Sequence, residues 1–557
     1  MARKNNQLTL SCDFETTTDI NDCRVWAYSM TDLKSLTSQV GTSLNEFMLD
    51  VICFRNTICY FHNLKFDGEF IINWLFENGY TYVHDKKDAI DKSFTALISD
   101  MGMWYSIDVW HDKKNKIVTH FKDSLKIIPL SVDSIPKAFG LVDTKLKIDY
   151  KKYRPVGYQL TQDEIEYIKA DTTIVAKALN IMFEQGMTKL TTSSNALHQY
   201  KSIIGKHFKY WFPIPDYDAD IRPAYKGGWT YCNKKYQNKE ICEGLVYDIN
   251  SLYPSVMYND LLPYGDGVYY TGEYKYDSWY PLYIQKLSCS FELKEGHLPT
   301  IQLKNTMRFI DTEYLESSNG EDVILHVTNI DLDLIKEHYN LYNVDYISGY
   351  KFMGSVKLFK DYIDKWNDVK MQATIDNNNG MRTIAKLMMN SLYGKFAKNP
   401  LTQSKYPIYE YGEVDYILGS PEEGKPIYIP VGIFITAYAR NKTIRTAQSL
   451  GDRFIYADTD SVHIVGTQQP NIDIDNVRLG AWKLENSFTR AKFIRAKTYI
   501  EEFDGHLDIK CAGMPDSCHQ YVTWENFKPG TSYPGKLLQQ RVSGGVVLID
   551  TDFTIKK

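Results

Sequence analysis

Residues 8–16 read LTLSCDFET, and every second side chain in this stretch is apolar. Successive side chains of a β-strand point to opposite faces, so the alternation predicts a strand with one apolar and one polar face. Asp13 and Glu15 share the polar face, where their carboxylates can bind one ion. An acidic pair on a strand is more often only a solvated surface, so the stretch needs supporting residues before it indicates chemistry.

Two helical patterns supply further carboxylates. The strand-like run TICYFH leads to NLKFDGEFIINWLFENG, whose apolar residues have helical spacing and leave Asp67 in the opening turn. Farther on, Thr161 and Glu164 form a capping box that begins the helix TQDEIEYIKADTTIVAKAL. Tyr167 and Asp171 are four residues apart and lie on one face of that helix. Four converging carboxylates suit two magnesium ions about 3.5–4 Å apart that activate water at a phosphodiester.

A second acidic set lies in the remainder of the chain. In GLVYDINSLYPSVM, a short apolar strand runs into Asp248, and Tyr253 with the following proline begins a helix. In DRFIYADTDSVHIVG, two β-prone runs flank Asp458 and Asp460, which places both residues at or beside a hairpin tip. Taken alone, ADTDS is better interpreted as an ordinary Asp-rich turn.

A helix between these segments carries a possible nucleotide-binding row. In GMRTIAKLMMNSLYGKFAKNP, the apolar residues form a stripe at helical spacing. Arg382, Lys386, Asn390 and Tyr393 form another row, at i, i+4, i+8 and i+11. Two cations, an amide and a ring could hold a triphosphate and a base, although a solvated amphipathic face is the alternative. The upstream run KLFKDYIDKWNDVKMQA, joined through the breaker DNNNG, predicts an antiparallel helical hairpin.

Length and composition limit the class of protein. A chain of 557 residues is too long for one core, so two or more domains are expected. The net charge of −5 does not indicate a polyanion partner, so any nucleic-acid site must be a local basic track. The nine cysteines include no Cys-x-x-Cys pair and are interpreted as reduced packing residues. No apolar run approaches a membrane span and MARKNNQLTLS lacks a signal-peptide core, which together predict a cytoplasmic location.

The ordered motifs DFET, NLKFDG, YIKAD, YKGG, DINSLYPS, KLMMNSLYGKFA, YADTDS and KTY resemble those of the family B DNA polymerases. Over nearly the whole chain the sequence is similar to the protein-primed, phi29-type phage branch of that family. The resemblance implies an α/β and α+β multidomain fold, with a ribonuclease H-like 3′→5′ exonuclease domain followed by a right-hand polymerase with two insertions. The implied parts are the exonuclease domain (1–190), palm (191–259 and 428–514), priming-protein insertion (260–357), fingers (358–398), β-hairpin insertion (399–427) and thumb (515–557).

The resemblance also assigns roles in the nuclease half. Asp13, Glu15, Asp67 and Asp171 are implied to hold two metal ions. Tyr167 orients the attacking water, and Lys145 is a catalytic helper. The frayed primer end is implied to be gripped by Thr16, Asn63, Phe66 and Ser124.

In the polymerase half, the resemblance implies that Asp248, Asp458 and Asp460 bind the metal ions. Tyr253 is implied to be the gate that excludes a ribose 2′-hydroxyl. The incoming nucleotide is implied to contact Lys370, Arg382, Lys386, Asn390 and Tyr393. The implied DNA contacts are Tyr225, Gly227 and Gly228 in the linker between the two domains, and Lys497 and Tyr499 of KTY. Without the resemblance, KTY is interpreted as a solvated strand and the glycines as a plain turn.

The implied function is replication of a phage genome, with proofreading, strand displacement and protein-primed initiation, in the cytoplasm of the infected host. The implied cofactor is Mg²⁺, two ions per site, with Mn²⁺ able to substitute. The implied partners of this monomeric enzyme are primer-template DNA, dNTPs and a terminal protein, with no membrane. The segment NPLTQSKYPIYEYGEVDYILGSPEEGKPIYIPVG predicts a long β-hairpin, which is the second insertion. The sequence departs from the family pattern in its DNNNG connection, in Arg382 where lysine is expected, and in the short stretch before KCAGM.

Two rival interpretations belong to other classes. A nuclease whose polymerase half has decayed would not need the intact Asp248, Asp458, Asp460 and Lys386. A non-catalytic protein that merely holds or packages DNA would not need seven carboxylates in two ordered sets, and a more basic chain would be expected.

Overall fold

The computed structural model describes residues 7–150, 152–303 and 313–556. Residues 304–312, which belong to the predicted insertion 260–357, lie outside the described residues, as do 1–6, 151 and 557. None of the described helices combines the length and the apolar character that crossing a membrane requires.

The N-terminal part is built on a mixed sheet flanked by helices. Its strands and helices are β1 Leu8–Thr16, β2 Val25–Asp32, β3 Ser38–Gly41, α1 Leu44–Ile52, β4 Asn56–Phe61, α2 Leu64–Glu77, β5 Thr81–Tyr82, β6 Ser93–Ser99, β7 Trp104–Asp112, β8 Ile117–Asp123, α3 Ile135–Phe139 and α4 Gln162–Glu184. The predicted strand 8–16, the helix with Asp67 in its first turn, and the capping box of Thr161 and Glu164 are all confirmed. Strand β1 lies inside the sheet, antiparallel to β2 and parallel to β4.

The central part contains a five-stranded sheet and an inserted four-stranded sheet. Its elements are α5 Thr192–Ile204, α6 His207–Trp211, α7 Asp218–Ile221, β9 Thr230–Cys232, β10 Glu240–Ile241, β11 Gly244–Ile249, α8 Leu252–Asn259, β12 Leu262–Thr271, β13 Leu282–Leu293, β14 Val323–Thr328, α9 Asn329–His338 and β15 Tyr339–Ser355. Strands β12 to β15 form the inserted sheet in the order β12-β15-β13-β14.

The predicted helical hairpin and β-hairpin follow. They comprise α10 Lys360–Ile375, α11 Asn379–Ser391, α12 Tyr393–Phe396, β16 Leu401–Thr402, β17 Ser404–Glu410, β18 Glu413–Leu418 and β19 Glu422–Glu423. In the DNNNG connection, Asn378 accepts a hydrogen bond from the Met381 amide at 3.0 Å and so caps α11. Strand β17 pairs with β18 and also with β6, so the hairpin extends the N-terminal sheet.

The C-terminal part completes the central sheet and adds a ribbon. Its elements are α13 Ile429–Ser449, β20 Phe454–Asp458, β21 Ser461–Val465, β22 Trp482–Phe488, β23 Arg490–Arg495, β24 Thr498–Phe503, β25 His506–Cys511, β26 Ser532–Val542 and β27 Gly545–Thr554. The central sheet has the order β22-β11-β21-β20-β9. Strands β26 and β27 form an antiparallel ribbon whose tip contacts helix α2. The predicted domain boundaries stay a prediction.

Candidate active sites

The first site gathers four carboxylates at β1. Asp13 and Glu15 lie on this strand, and Asp67 in the first turn of α2 accepts a hydrogen bond from the Phe14 amide at 3.3 Å. The carboxylate from α2 is thereby held against the backbone between the two acidic residues of the strand. Asp171 comes from α4, where its Oδ2 lies 3.2 Å from the Lys145 ammonium.

These carboxylates are close enough to destabilise one another's charge. Burial and Asp171 raise the pKa of Asp13 to about 7, against the opposing effect of Lys145. Burial, followed by Asp13 and other carboxylates, raises the pKa of Glu15, and burial with Asp13 raises that of Asp67. The site therefore holds more negative charge than its own cation can neutralise.

A divalent cation fits this excess charge. Asp171 Oδ1 is buried and has no protein hydrogen-bond partner, which leaves an oxygen available as a ligand. In the described parts of the chain, no three His, Cys, Asp or Glu side chains are arranged to hold a metal ion as they stand. A bound cation would compensate the charge of the four carboxylates.

The site opens into a cavity of about 1400 Å³. The residues predicted from sequence that line it are Asp13, Glu15, Thr16, Asn63, Phe66, Asp67, Lys145, Tyr167 and Asp171. Ser124, which was expected to contact the primer end, does not line the cavity. Its hydroxyl is buried, donates to the Phe61 carbonyl at 3.0 Å and contacts His62 Nδ1 at 3.0 Å. In this structure Ser124 positions His62, which does line the cavity.

Two further side chains complete the nuclease wall. The hydroxyl groups of Tyr150 and Tyr167 are hydrogen-bonded to each other, and both residues line the cavity. Nothing in the local sequence pattern indicates Tyr150, since the pairing joins a loop to α4. His62 directly precedes the motif NLKFDG, so its proximity to that motif could have identified it.

The second site lies at one end of the central sheet. Asp248 on β11 and Asp458 on β20 both pair across with Ser461 of β21, so their Cα atoms lie in one row. The backbone carbonyl of Asp460, in the tip between β20 and β21, accepts from the Ile249 amide at 2.8 Å. The predicted hairpin tip is confirmed, and the three carboxylates come from adjacent chain segments.

The electrostatics of the second site resemble those of the first. Burial raises the pKa of Asp248 to about 7, aided by Asp460 and Glu485 and opposed by Lys386. Burial also raises the pKa of Asp460, with help from Asp458. Asp458 Oδ1 lies 2.8 Å from the Thr230 hydroxyl and 3.2 Å from the Lys497 ammonium. Excess negative charge again suits divalent cations.

Three cations lie on the helical hairpin, and one of them, Lys386, is near enough to Asp248 to oppose the rise in the pKa of that carboxylate. Lys386 and Arg382 are neighbours of Lys370 across the helical hairpin. Burial lowers the pKa of Lys370, and the charges of these two neighbours lower it further. Arg382, Lys386 and Asn390 are all exposed on α11, as the predicted row requires. The row does not extend to Tyr393 on one helix, because α11 ends at Ser391 and a separate turn begins at Tyr393.

Tyr393 instead packs against Tyr253. The two rings are stacked with centroids 4.1 Å apart and planes at 26°. Tyr225 lies close to this stack. Burial raises the pKa of Tyr225, and the nearby Tyr393 raises it further. The stack fixes the orientation of the Tyr253 ring at the start of α8.

The YKGG linker packs directly on the acidic tip. A Cβ on Gly228 would lie 2.5 Å from Thr459 Oγ1, whereas one on Gly227 would meet nothing within 4 Å. Arg440 on α13, only 5% exposed, donates to the Gly227 carbonyl at 3.0 Å and makes a bidentate ion pair with Asp331 of α9. No local sequence pattern indicates Arg440 or Asp331, because their pairing joins distant segments.

The linker lines a second cavity of about 1440 Å³. Among its lining residues are Tyr225, Gly227, Gly228 and Lys497. Tyr499, predicted to contact the primer, does not line it. Its ring stacks on Phe493 with centroids 4.9 Å apart and packs near Tyr456. Tyr499 therefore supports the strand from beneath while Lys497 reaches the carboxylates.

Two separate acidic sites on one chain fit the predicted class of protein, the DNA polymerases. The family model described as DNA polymerase type B, organellar and viral, matches residues 51–478, and the chain belongs to this family. It is 47% identical to the DNA polymerase of Bacillus phage phi29, over 98% of each chain, and 33% identical to that of Streptococcus phage Cp-1, also over 98% of each.

Solved structures agree with this assignment. The phi29 DNA polymerase complexed with primer-template DNA matches with a TM-score of 0.93 and 46% identity, over 99% of this chain and 100% of that one. The ternary complex of the same protein with incoming nucleotide substrates matches with a TM-score of 0.92 and 46% identity, over 99% and 100% of the two chains. The comparisons confirm the predicted family, fold class and DNA polymerase activity, and the family as a whole implies a divalent-metal requirement.

Proposed function

We propose that this DNA polymerase replicates a phage genome in the cytoplasm of the infected cell, as a monomer that uses Mg²⁺ and corrects its own errors. The observation that supports the proposal best is the presence of two separate carboxylate sets, each with excess negative charge and each beside a cavity of its own. The polymerase cavity receives primer-template DNA and a dNTP, and the nuclease cavity receives a frayed primer end.

In the polymerase site, Asp248, Asp458 and Asp460 would hold the metal ions. Lys370, Arg382 and Lys386 neutralise the triphosphate. The primer 3′-hydroxyl loses its proton and attacks the α-phosphorus, and the bond to the β-phosphate oxygen breaks to release pyrophosphate. In both sites, bound divalent ions supply charge neutralisation at the attacking and leaving oxygens.

Two aromatic rings select the substrate in the polymerase site. Tyr253 is fixed by its stack on Tyr393, so its ring excludes a ribose 2′-hydroxyl by steric overlap. Tyr393 packs against the nascent base pair beside Asn390. Lys497, whose ammonium lies 3.2 Å from Asp458, holds the primer terminus near the carboxylates.

In the nuclease site, Asp13, Glu15, Asp67 and Asp171 would hold the metal ions. Tyr167 orients a water that attacks the terminal phosphodiester, and the bond to the penultimate 3′-oxygen breaks to release a nucleotide. Lys145 neutralises charge that develops beside Asp171. Thr16, Asn63 and Phe66 hold the unpaired end in the cavity.

The two insertions extend this function. The sheet of β12–β15 is proposed to bind a terminal protein whose hydroxyl replaces the primer in the first step. The β-hairpin of β17 and β18 is proposed to help surround the DNA and separate its strands. Support for both comes from the near full-length similarity to a phage polymerase group.

A primer-extension gel tests the proposal. With dNTPs and Mg²⁺ the labelled primer should lengthen, and without dNTPs it should shorten. A separate reaction should attach a labelled dNMP covalently to a small protein encoded beside the polymerase gene. Loss of only this last reaction would remove protein priming and leave the polymerase assignment intact.

A further inference from the structure

An irregular segment between α3 and α4 brings two side chains to the nuclease cavity. The described residues from 141 to 160 form no helix or strand, yet Lys145 and Tyr150 of this segment both line the cavity. An ion pair fixes the start of the segment, because the Lys177 ammonium of α4 lies 2.6 Å from Asp143. Tyr150 lies well beyond this ion pair, so its position depends on contacts farther along the segment.

Arg154 makes such contacts from inside an exposed stretch of chain. Tyr153 beside it is 61% exposed, whereas Arg154 is only 3% exposed. Its guanidinium donates from Nη2 to the Asp149 carbonyl at 3.0 Å and from Nη1 to the Lys152 carbonyl at 2.9 Å. These two carbonyls lie on either side of Tyr150 in the sequence, so one side chain holds the backbone around that residue.

The same guanidinium contacts the elements that carry the nuclease residues. Its Nε donates at 2.9 Å to Oε1 of Glu164, in the first turn of α4 and one turn before Tyr167. It also lies over the ring of Trp26 on β2, 4.0 Å from the centroid, and the Trp26 indole donates to the Thr16 carbonyl at the end of β1 at 3.2 Å. Arg154 thus links the irregular segment to the helix and strand that carry the carboxylates.

We propose that Arg154 is a positioning residue of the nuclease, which sets the Tyr150 hydroxyl against that of Tyr167. The proposal rests on the proposed function in one respect, that the first cavity trims a 3′ end and Tyr167 orients the attacking water. Arg154 does not itself line the cavity, so it acts through the hydrogen-bonded pair of tyrosines that does. A guanidinium suits this role, because its planar fork donates in several fixed directions at once.

Arg154→Lys tests the role without removing the positive charge beside Glu164. A single ammonium cannot donate in the three directions that the guanidinium uses, so Tyr150 should lose its fixed position. We expect kcat for trimming a labelled single-stranded oligonucleotide, with Mg²⁺ and without dNTPs, to fall on the order of tenfold. The KM for the oligonucleotide should stay near the parent value, because Asn63 and Phe66, proposed to hold the strand, lie at the start of α2.

A double variant distinguishes positioning from general stabilisation. Tyr150→Phe removes the hydroxyl through which Arg154 is proposed to act. If the two residues act as one unit, Arg154→Lys with Tyr150→Phe should trim no more slowly than the slower of the single variants. Losses that multiply in the double variant, or a parent kcat in Arg154→Lys, would overturn the proposal.

Matched measurements separate this role from damage to the fold. Lys152→Met removes another cation near Glu164, 3.5 Å away, but keeps the Lys152 carbonyl, so it should trim at the parent rate. An equal loss in Lys152→Met would mean that the charge at Glu164 sets the rate, which would overturn the proposal.

Single-nucleotide addition to a short primer-template reports on the rest of the enzyme. It should stay at the parent rate in every variant, and a parallel loss of addition in Arg154→Lys would make the role of Arg154 structural and overturn the proposal. Absence of trimming in the parent enzyme would instead refute the nuclease assignment, and the role of Arg154 with it.

Discussion

At the scale of single residues, the two sites share one physical design. Burial together with neighbouring carboxylates raises the pKa values of Asp13, Glu15 and Asp67 in the first site and of Asp248 and Asp460 in the second. Each site also sets a lysine beside one carboxylate, Lys145 at Asp171 and Lys497 at Asp458. Local patterns predicted the carboxylates, because strand alternation and i, i+4 spacing are visible in the sequence. They could not show Arg440, whose partners Asp331 and Gly227 lie more than a hundred residues away.

The carboxylate sets should be separable by mutation. Asp458→Ala removes the carboxylate that contacts Thr230 and Lys497, so primer extension should be lost while 3′ trimming continues. Asp13→Ala with Glu15→Ala should have the opposite effect. Primer extension and 3′ trimming are both measured on one labelled primer-template. Extension near the parent rate by Asp458→Ala would contradict the assignment of Asp458 to the polymerase site.

The stacked ring of Tyr253 should control sugar selection. Tyr253→Val removes the ring that Tyr393 holds in place, so ribonucleotides should be added more readily. A decrease in discrimination on the order of tenfold, about 1.4 kcal/mol of barrier, is expected. Competing dNTP and NTP in steady-state extension measures it, and Tyr253→Phe, which keeps the ring, should discriminate as the parent does.

Alanine substitution should affect polymerase activity very differently at the two linker glycines. Gly228→Ala forces a Cβ to within 2.5 Å of Thr459 and should displace the acidic tip, at a cost on the order of 1–3 kcal/mol. Polymerase activity should therefore fall while nuclease activity persists. Gly227→Ala, which meets nothing within 4 Å, is the control. Equal activities in the two variants would mean that the linker does not support the tip.

At the scale of elements, the sequence predicted which segments form but not what they join. The 401–427 segment forms the expected hairpin, with Tyr411 and Gly412 at positive φ in the turn. Its attachment to β6 was not predicted, because edge-strand pairing depends on tertiary position. Similarly, the amphipathic stripe identified α11, while the interruption at Leu392, whose backbone keeps right-handed helical angles between α11 and α12, has no clear signal in helical spacing.

Removing the hairpin tests whether it takes part in strand displacement. Leu401 pairs with Glu423 and Thr402 with Glu422, so the chain ends at its base are close enough to be joined by a short glycine linker. Deletion of residues 403–421 should leave short primer extension intact and reduce strand displacement on a primed circle. Undiminished displacement by the deleted enzyme would exclude the hairpin from this step.

At the scale of the whole molecule, the ribbon connects the two sites. Both of its strands line the nuclease cavity, β26 through Leu537 and Gln539 and β27 through Leu548, while Phe553 and Thr554 near its base line the polymerase cavity. A primer end that leaves one site can therefore follow a single surface to the other. The net charge of −5 did not predict this DNA-binding function, because the relevant cations are local.

Transfer between the sites should occur without release of DNA. A primer with a mismatched 3′ end, bound before excess trap DNA is added with dNTPs, should be trimmed and then extended by the same molecule. Short-time quench gels would show both products. If the trap abolishes extension of the mismatched primer but not of a matched one, transfer requires dissociation.

The attachment of the hairpin to the nuclease sheet has a consequence for biosynthesis. Val414 of β18 and Val546 of β27 belong to the same apolar core as Phe14 and Phe61, although the ribosome makes them about 350 to 530 residues later. The N-terminal sheet therefore emerges with part of its core missing and with strand β6 unprotected at its edge. The nascent chain must keep this edge from aggregating until β17 has been made, and a fragment that ends near residue 190 would keep the same defect permanently.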